Sequence, residues 1–464
     1  MRKMVETSEQ ELELLVKGGD ERIHMAEGPS PKNRYNLNPL EPADLLYRGS
    51  CTCGVLTPET RSLALAEAAD MERDEDEWAE SQRQRLREIA SAGRDVDVMF
   101  GPSGTDLLYF PLLLARAASD RPILNVLSCP EELGSGSRLA VAGKAFSTET
   151  ALGGRQEKGA LIHPSLAGEV VELKARSEDG SICKRKADIE RLIEANRDKT
   201  LIVHLVYGSK SGIKDDLEVI ASHPHVHWTV DLCQFRADPD LIGALLDQGA
   251  MVLITGSKFY QAPPFCGALL LPGRYRQWAQ GEAMMGATGL RDIIAMSDIP
   301  PHFESIRQHL TVPGNRPSRL RWECALHEME ACHAIPREDL DGAIATWSQT
   351  VSGWLEQQDV FELMPDQAKT NDSIISFRVK VQGRYFDEAA IRTLFDRLTT
   401  EDAKEAVGRH RVFIGQPVCY GDRWFIRLAL GSHVARQAAM HGADWAADRL
   451  LVQWIANLAK RCAP

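Results

Sequence analysis

Short apolar runs alternate with amphipathic helical segments through the middle of the chain. Seven runs have the length and composition of strands: DVMF (97–100), ILNVLS (123–128), EVVEL (169–173), LIVHLVY (201–207), HWTVD (227–231), MVLIT (251–255) and GALLL (267–271). Several are apolar throughout, as strands are when both faces of their sheet are covered. The alternation predicts an α/β fold, with a mostly parallel seven-stranded sheet and helices on both faces.

The rest of the pattern divides the chain into three parts. Residues 1–45 are polar and then proline-rich, and we interpret them as an arm that packs on a larger body or on a partner subunit. Residues 46–325 contain the predicted sheet, preceded by a helical pattern at about 60–93, and form the expected large domain. Residues 326–464 predict a smaller α+β domain, joined to the large one by a long helix that begins near Arg319.

Composition narrows the possible partners. The 464 residues have a formal net charge of −12, whereas a nucleic-acid partner requires a basic face. No run of about 18 apolar residues predicts a membrane span, and the acidic N-terminal stretch has no apolar core of a signal peptide. The ten cysteines are scattered, which indicates reduced thiols. We therefore expect a cytoplasmic protein without nucleic-acid or membrane partners.

Ligands of open parallel sheets bind at the carboxyl ends of the strands, and the segment GPSGTD (101–106) lies at one such end. Its glycines let backbone N–H groups approach an anion, Ser103 and Thr105 add hydroxyl groups, and the following helix adds a positive partial charge. The segment is a candidate phosphate site, with a plain capped turn as the alternative.

An acid and a lysine follow two later strands. Asp231 ends an apolar strand, where a carboxylate either pairs with a cation such as a protonated pyridine nitrogen or caps a helix. Lys258 follows in a Gly/Ser turn, where desolvation would favour the neutral amine that attacks carbonyl groups. A solvated turn lysine is the alternative. Thr255 and Ser257 flank it as possible phosphate donors.

A cation occurs inside a late apolar strand. Arg427 interrupts WFIRLAL (424–430), and its planar guanidinium matches a carboxylate, either of a substrate or of a structural ion pair. The cysteines and histidines show no paired motif at zinc-site spacing, so we assign no metal site.

The ordered set of motifs resembles a known family. The motifs are SGT (103–105), GSKSG (208–212), DLCQ (231–234), TGSK (255–258) and IRLAL (426–430). Over about residues 50–460 they are similar to the fold-type I enzymes that depend on pyridoxal 5′-phosphate (PLP). The similarity is greatest to the class V aminotransferase and cysteine desulfurase branch.

The resemblance implies a role for each motif. Lys258 would form the internal aldimine with PLP and move protons, and Asp231 would pair with the pyridinium nitrogen. Gln234 would bond the phenolic oxygen, Ser209 would lie near that oxygen and the substrate carboxylate, and Arg427 would bind that carboxylate. The phosphate would be held by Ser103, Gly104, Thr105, Thr255 and Ser257.

The function implied is that of an aminotransferase acting on an amino acid or amine, in a homodimer. The alternative is a PLP lyase that cleaves a C–S or C–C bond, including a cysteine desulfurase, although Cys419 is displaced from the family's nucleophile position. The sequence also departs from the family where Ser257 replaces a histidine and where 128–137 offers no ring to stack on PLP. The motifs argue against two other classes of protein. Retention of Lys258, Asp231 and Gln234 argues against a non-catalytic regulator, and GPSGTD lacks the lysine of a nucleotide-binding P-loop.

Overall fold

The structure is a computed structural model that describes residues 12–27, 31–40, 44–68, 72–91, 93–234, 238–278, 282–367 and 372–462. The strands are β1 Leu45–Arg48, β2 Val96–Gly101, β3 Ile123–Ser128, β4 Glu169–Leu173, β5 Thr200–Val206, β6 His227–Asp231, β7 Met251–Thr255, β8 Gly267–Pro272, β9 Phe361–Leu363, β10 Ile374–Val381, β11 Arg384–Tyr385, β12 Arg411–Tyr420 and β13 Arg423–Ala429.

The helices are α1 Pro58–Ala68, α2 Glu75–Ala90, α3 Tyr109–Ala118, α4 Ser137–Ala140, α5 Lys186–Ala195, α6 Val219–Ser222, α7 Pro239–Asp247, α8 Glu304–Arg307, α9 Arg316–His333, α10 Arg337–Glu356, α11 Glu388–Thr400, α12 Lys404–Val407, α13 Ser432–His441 and α14 Ala446–Cys462. Short 3-10 helices lie at Glu13–Val16, Glu21–Ile23, Asp106–Leu108, Pro164–Leu166, Gly273–Trp278, Glu282–Leu290 and Met296–Asp298. The predicted helical region at about 60–93 thus contains two helices, α1 and α2.

All seven predicted strands form one sheet, in the order β2-β8-β7-β6-β5-β3-β4. The pairings from β7 to β4 are parallel, whereas β8 is antiparallel to both of its neighbours, β2 and β7. This confirms the mostly parallel seven-stranded sheet. Because β8 is antiparallel to both β2 and β7, these two strands run in the same direction. The carboxyl ends of the six strands other than β8 therefore lie along one edge of the sheet.

Both faces of the sheet are covered. In β7, Met251 and Leu253 belong to one apolar cluster and Val252 and Ile254 to another, and all four side chains are fully buried. The first cluster includes α3, and the second includes α2 and α9. Alternate residues of a strand point to opposite faces, so a strand between two helical layers must be apolar at every position.

A second sheet occupies the C-terminal part of the chain. It has the order β1-β12-β13-β10-β11, with β9 also paired to β10. Its edge strand β1 comes from residues 45–48 and pairs in parallel with β12, Leu45 opposite Arg411. The predicted boundary after residue 325 falls within α9.

In the described chain, no helix combines the length and hydropathy that a bilayer-spanning segment requires. All ten cysteines are free.

Helix α9 carries the charged side chains of Arg319 and Glu323 into the core, and both have polar partners. Arg319 and Asp298 are both fully buried, and the Arg319 Nη2 lies 2.5 Å from the Asp298 Oδ1. Glu323 accepts hydrogen bonds from Trp78 Nε1 and Gln82 Nε2 at 2.6 and 2.7 Å. Buried charges are tolerated only with such partners, so these contacts fix α9 against α2.

A buried histidine predicts how the fold responds to acid. Burial lowers the pKa of His204 on β5 to about 3, and its Nε2 lies 3.1 Å from Asn125 Oδ1. Between pH 6.5 and 3 the unfolded chain therefore binds a proton that the folded chain does not. We expect His204 to lower the free energy of unfolding by up to about 1.4 kcal/mol per pH unit in that interval.

His204→Gln keeps a partner for Asn125 and does not titrate, so urea unfolding at a series of pH values should show a shallower acid loss for this variant than for the wild type. The exposed His225→Gln is the matched control. Equal acid slopes for all three proteins would contradict the assignment.

Candidate active site

A cleft opens at the carboxyl edge of the large sheet. It brings together eight of the ten residues that the sequence selected, and these are Ser103, Gly104, Thr105, Ser209, Asp231, Thr255, Ser257 and Lys258. Four consecutive sheet neighbours, β3, β5, β6 and β7, end here, and β2 delivers its following turn to the same edge. Residues 150 positions apart thus meet because parallel strands end side by side.

Lys258 and Asp231 lie at the ends of adjacent strands. Asp231 is the last residue of β6 and pairs with Leu253 of β7, and Lys258 follows three residues after β7 ends. The Asp231 Oδ1 accepts a hydrogen bond from the Cys233 N–H at 2.8 Å, which orients the carboxylate in its own turn. Among the described residues, the side-chain amine of Lys258 has no hydrogen-bond or ion-pair partner. Its amine is available for a ligand.

The turn after β2 (residues 103–105, the SGT turn) packs closely against the segment after β6. A Cβ added to Gly104 would lie 2.7 Å from the Cys233 Sγ, so only glycine fits without displacement. The Ser103 hydroxyl donates to the Asp106 carboxylate at 2.5 Å, and the Thr255 hydroxyl donates to the Cys233 carbonyl at 3.0 Å. Burial raises the pKa of Asp106 to about 6. Two of the five predicted phosphate donors are thus engaged within the protein.

A buried carboxylate forms the opposite wall of the cleft. Glu132 is 3% exposed and accepts hydrogen bonds from the Ser209 hydroxyl, the Ser211 hydroxyl and the Ser211 N–H, each at 2.6 Å. These bonds join the loop after β3 to the loop after β5. Ser209 therefore lies in the cleft, as expected, with its hydroxyl oriented by Glu132.

A second amine, that of Lys210, also lines the cleft. Its Nζ donates to the carbonyl oxygens of Glu131 at 3.0 Å and Leu133 at 2.8 Å. The pKa of Lys210 is lowered to about 8, chiefly by burial and in part by the charges of Arg427 and Lys258, with Glu132 acting in the opposite direction. Near neutral pH the cleft therefore contains a lysine that changes charge readily.

Gln234 and Arg427, the other two predicted residues, are absent from the described lining of the cleft. The Gln234 carboxamide accepts from the Ser50 hydroxyl at 2.5 Å and donates to the Ser50 carbonyl at 3.3 Å. Arg427 donates from Nη1 to the Lys210 carbonyl at 2.8 Å and from Nη2 to the Gln416 carbonyl at 3.1 Å. Arg427 thus binds the backbone of Lys210, a residue that lines the cleft.

Sequence reasoning missed three charged residues of the cleft. Glu132 lies in the segment 128–137, which the sequence marked only by the absence of a stacking ring, and Lys210 lies inside the GSKSG motif, where no role was assigned to it. Arg22 comes from the polar arm, where no local pattern marks it. None of the described lining side chains is aromatic, and the segment 128–137 supplies Glu132 and Leu133 where the family has a stacking ring. Cys419 is not in the described lining, and its Sγ donates to the Gly421 carbonyl at 3.1 Å.

The residues present fit a phosphorylated aldehyde with a basic ring nitrogen. The Lys258 amine has no partner among the described residues, Asp231 is fixed next to it, and Gly104 keeps open a turn that a Cβ would close. Ser257 is 2% exposed and lines the same space. An amine, a carboxylate and an anion-binding turn therefore converge on one cleft.

Comparison with known proteins supports the fold but no closer relationship. No protein-family model matches the chain, and no curated protein is significantly similar in sequence. Solved structures that match it include mouse CSAD, with 16% identity over 90% of this chain and 83% of that one, at a TM-score of 0.55.

Two plant enzymes match in the same way. The tryptophan decarboxylase of Catharanthus roseus in complex with L-tryptophan has 13% identity over 89% of this chain and 84% of that one, with a TM-score of 0.54. The TDC of Oryza sativa with PLP and tryptamine has 12% identity over 92% and 84%, with a TM-score of 0.53. The chain therefore has the expected fold of the fold-type I PLP enzymes, and the class V branch stays a prediction.

The Glu132 cluster predicts a stability effect. Glu132→Ala removes the acceptor of three buried donors and should lower the free energy of unfolding by at least about 2 kcal/mol. Glu172→Ala breaks only the exposed pair with Arg138 and should change it by less than about 1 kcal/mol. Urea unfolding of both variants measures the difference, and equal losses would show that Glu132 has no structural role in the cleft.

Proposed function

We propose that this chain is a PLP-dependent enzyme that acts on an amino acid or amine, with Lys258 as the point of covalent attachment and, as the resemblance implies, a homodimeric assembly. One observation carries the proposal: Lys258 and Asp231 end neighbouring parallel strands and face the SGT turn within one cleft. The fold shared with structures that contain PLP supports it.

Bound PLP supplies an electron sink that stabilises negative charge at the substrate Cα. The contribution of the protein is to bind and orient. Asp231, fixed by the Cys233 N–H, would keep a proton on the ring nitrogen. Lys258, once its amine is displaced by the substrate amine, would carry a proton to or from Cα. Ser209, whose hydroxyl donates to Glu132, would lie near the phenolic oxygen and the substrate carboxylate, as the resemblance implies.

Two reactions are candidates, and the order of the motifs favours amino-group transfer. The geometry of Arg427 favours a lyase reaction in which the substrate carboxylate leaves as carbon dioxide. Both terminal nitrogens of Arg427 donate to backbone carbonyls, which supports a structural role for this arginine over a role in binding the substrate carboxylate. An ion pair to a departing carboxylate stabilises the ground state and slows its loss, so a decarboxylase gains from its absence. One solved structure of this fold is a tryptophan decarboxylase.

The attachment of the cofactor can be tested on the purified protein. Wild type mixed with PLP should develop visible absorbance, and borohydride should fix the cofactor on the peptide that contains Lys258. Lys258→Ala should abolish the label, because no other unpartnered amine faces Asp231 among the described cleft residues. The exposed Lys214→Ala is the control and should keep it. A colourless wild type, or a label on Lys210, would overturn the assignment.

The reaction can be identified by its products. The PLP-loaded protein is incubated with single amino acids while carbon dioxide and pyridoxamine phosphate are measured. We expect carbon dioxide without stoichiometric pyridoxamine phosphate, because the Arg427 side chain is engaged in the protein. Accumulation of pyridoxamine phosphate without carbon dioxide would reject the lyase and establish amino-group transfer.

A further inference from the structure

The N-terminal segment (residues 12–27) is folded against the body of its own chain. Leu12 and Leu15 are buried in the core that contains α9. From α9, the fully buried Arg321 donates to the carbonyl oxygens of Leu15 at 2.9 Å, Gly18 at 3.4 Å and Phe265 at 3.5 Å. One guanidinium therefore holds both the N-terminal segment and the loop that follows Lys258.

This anchoring places Arg22 at the cleft. Arg22 lies in the 3-10 helix that Asp20 caps, and the Asp20 carboxylate accepts from its backbone N–H at 2.9 Å and from its Nε at 2.7 Å. The guanidinium lies over the Phe265 ring, 4.7 Å from its centroid, and the side chain is 14% exposed. Its Nη2 is buried and makes no well-directed hydrogen bond, although the Asp20 Oδ2 is 2.6 Å away. Asp20 therefore holds the Nε and Nη2 edge of the guanidinium, and Arg22 is one of the residues that line the cleft.

The anion-binding turn needs a cation that its own residues do not provide. Its predicted donors are neutral, and the Ser103 and Thr255 hydroxyls already donate to protein acceptors. A phosphate monoester carries a charge of about −1.5 to −2 near neutral pH, and the Asp106 carboxyl is buried beside the turn. Arg22 lines the same cleft as Ser103, Gly104 and Thr105. Its charge favours the ionised form of the Asp106 carboxyl, against the effect of burial, which raises the pKa of that group. Two other cations line the described cleft. The Lys258 amine is the proposed attachment point of the aldehyde, and the Lys210 amine donates to backbone carbonyls of the loop after β3.

We propose that Arg22 is a ligand of the cofactor phosphate, and that the N-terminal segment thereby helps to retain the cofactor. The planar guanidinium presents paired donors to phosphate oxygens, as the neutral hydroxyls cannot. Asp20 and Phe265 are positioning residues, since they fix the guanidinium without touching the phosphate. The inference rests on the proposed function, because it takes PLP as the ligand.

The test compares PLP with pyridoxal, which has the same aldehyde and ring but no phosphate. Apoprotein is titrated with each compound, and binding is followed by absorbance. Arg22→Gln should weaken PLP binding about 10- to 100-fold, the range for one charged hydrogen bond. Its affinity for pyridoxal should stay within about twofold of the wild type. Arg22→Lys should recover part of the loss for PLP.

Arg34→Ala is the matched control, since Arg34 is an exposed arginine of the same arm and contacts Tyr35. It should bind both compounds like the wild type. Inorganic phosphate should compete with PLP for the wild type and compete less for Arg22→Gln. If Arg22→Gln does not fold, Arg22→Lys decides, with a selective loss for PLP expected.

The outcomes separate the two proposals. Unchanged PLP affinity in the Arg22 variants, or an equal loss for PLP and pyridoxal, would overturn the phosphate role of Arg22 while leaving PLP as the cofactor. A wild type that binds neither compound would instead reject the proposed function. Selective loss for PLP alone supports the inference.

Discussion

The site depends on the antiparallel insertion of β8 between β2 and β7. Because β8 is antiparallel to both neighbours, β2 and β7 point the same way and lie two strand spacings apart, roughly 10 Å. The SGT turn and Lys258 therefore arrive at the same edge of the sheet. The insertion needs close contact at its first residue. A Cβ on Gly267 would lie 2.9 Å from the Ser103 carbonyl carbon, so the glycine lets β8 begin directly beneath the turn. A side chain there would push the anion-binding turn away from the lysine.

Helix α9 anchors the segments that surround this arrangement. Arg319 is neutralised by Asp298 inside the core, whereas Arg321, two residues on, reaches backbone carbonyls. Guanidinium groups suit this use because each offers five donors in a plane and can bond several carbonyl oxygens at once. One side of α9 therefore packs on α2 through Glu323, and Arg321 on the other side binds the N-terminal segment and the loop after Lys258.

The sequence predicted the elements and the local turns well, and the direction of long side chains poorly. All seven strands of the large sheet were readable because strands buried on both faces are apolar at every position, and Ser103, Asp231 and Lys258 were readable because they follow such strands. Arg427 was different. The irregular pairing of β12 with β13 between Gly415 and Val418 sets where its guanidinium lies, and no sequence pattern encodes that. Arg22 could not be predicted, since its contact with the cleft depends on docking across some 240 residues to Phe265.

The bond between Arg427 and Lys210 connects two sheets. Arg427 belongs to β13 of the C-terminal sheet, whereas Lys210 follows β5 of the large sheet and its amine is tied to the loop after β3. A second bond joins the C-terminal region to the residue after Lys258, since the Ser432 N–H donates to the Phe259 carbonyl at 2.8 Å. The C-terminal region therefore contacts two walls of the cleft at once, through the Lys210 carbonyl and through the loop that contains Lys258.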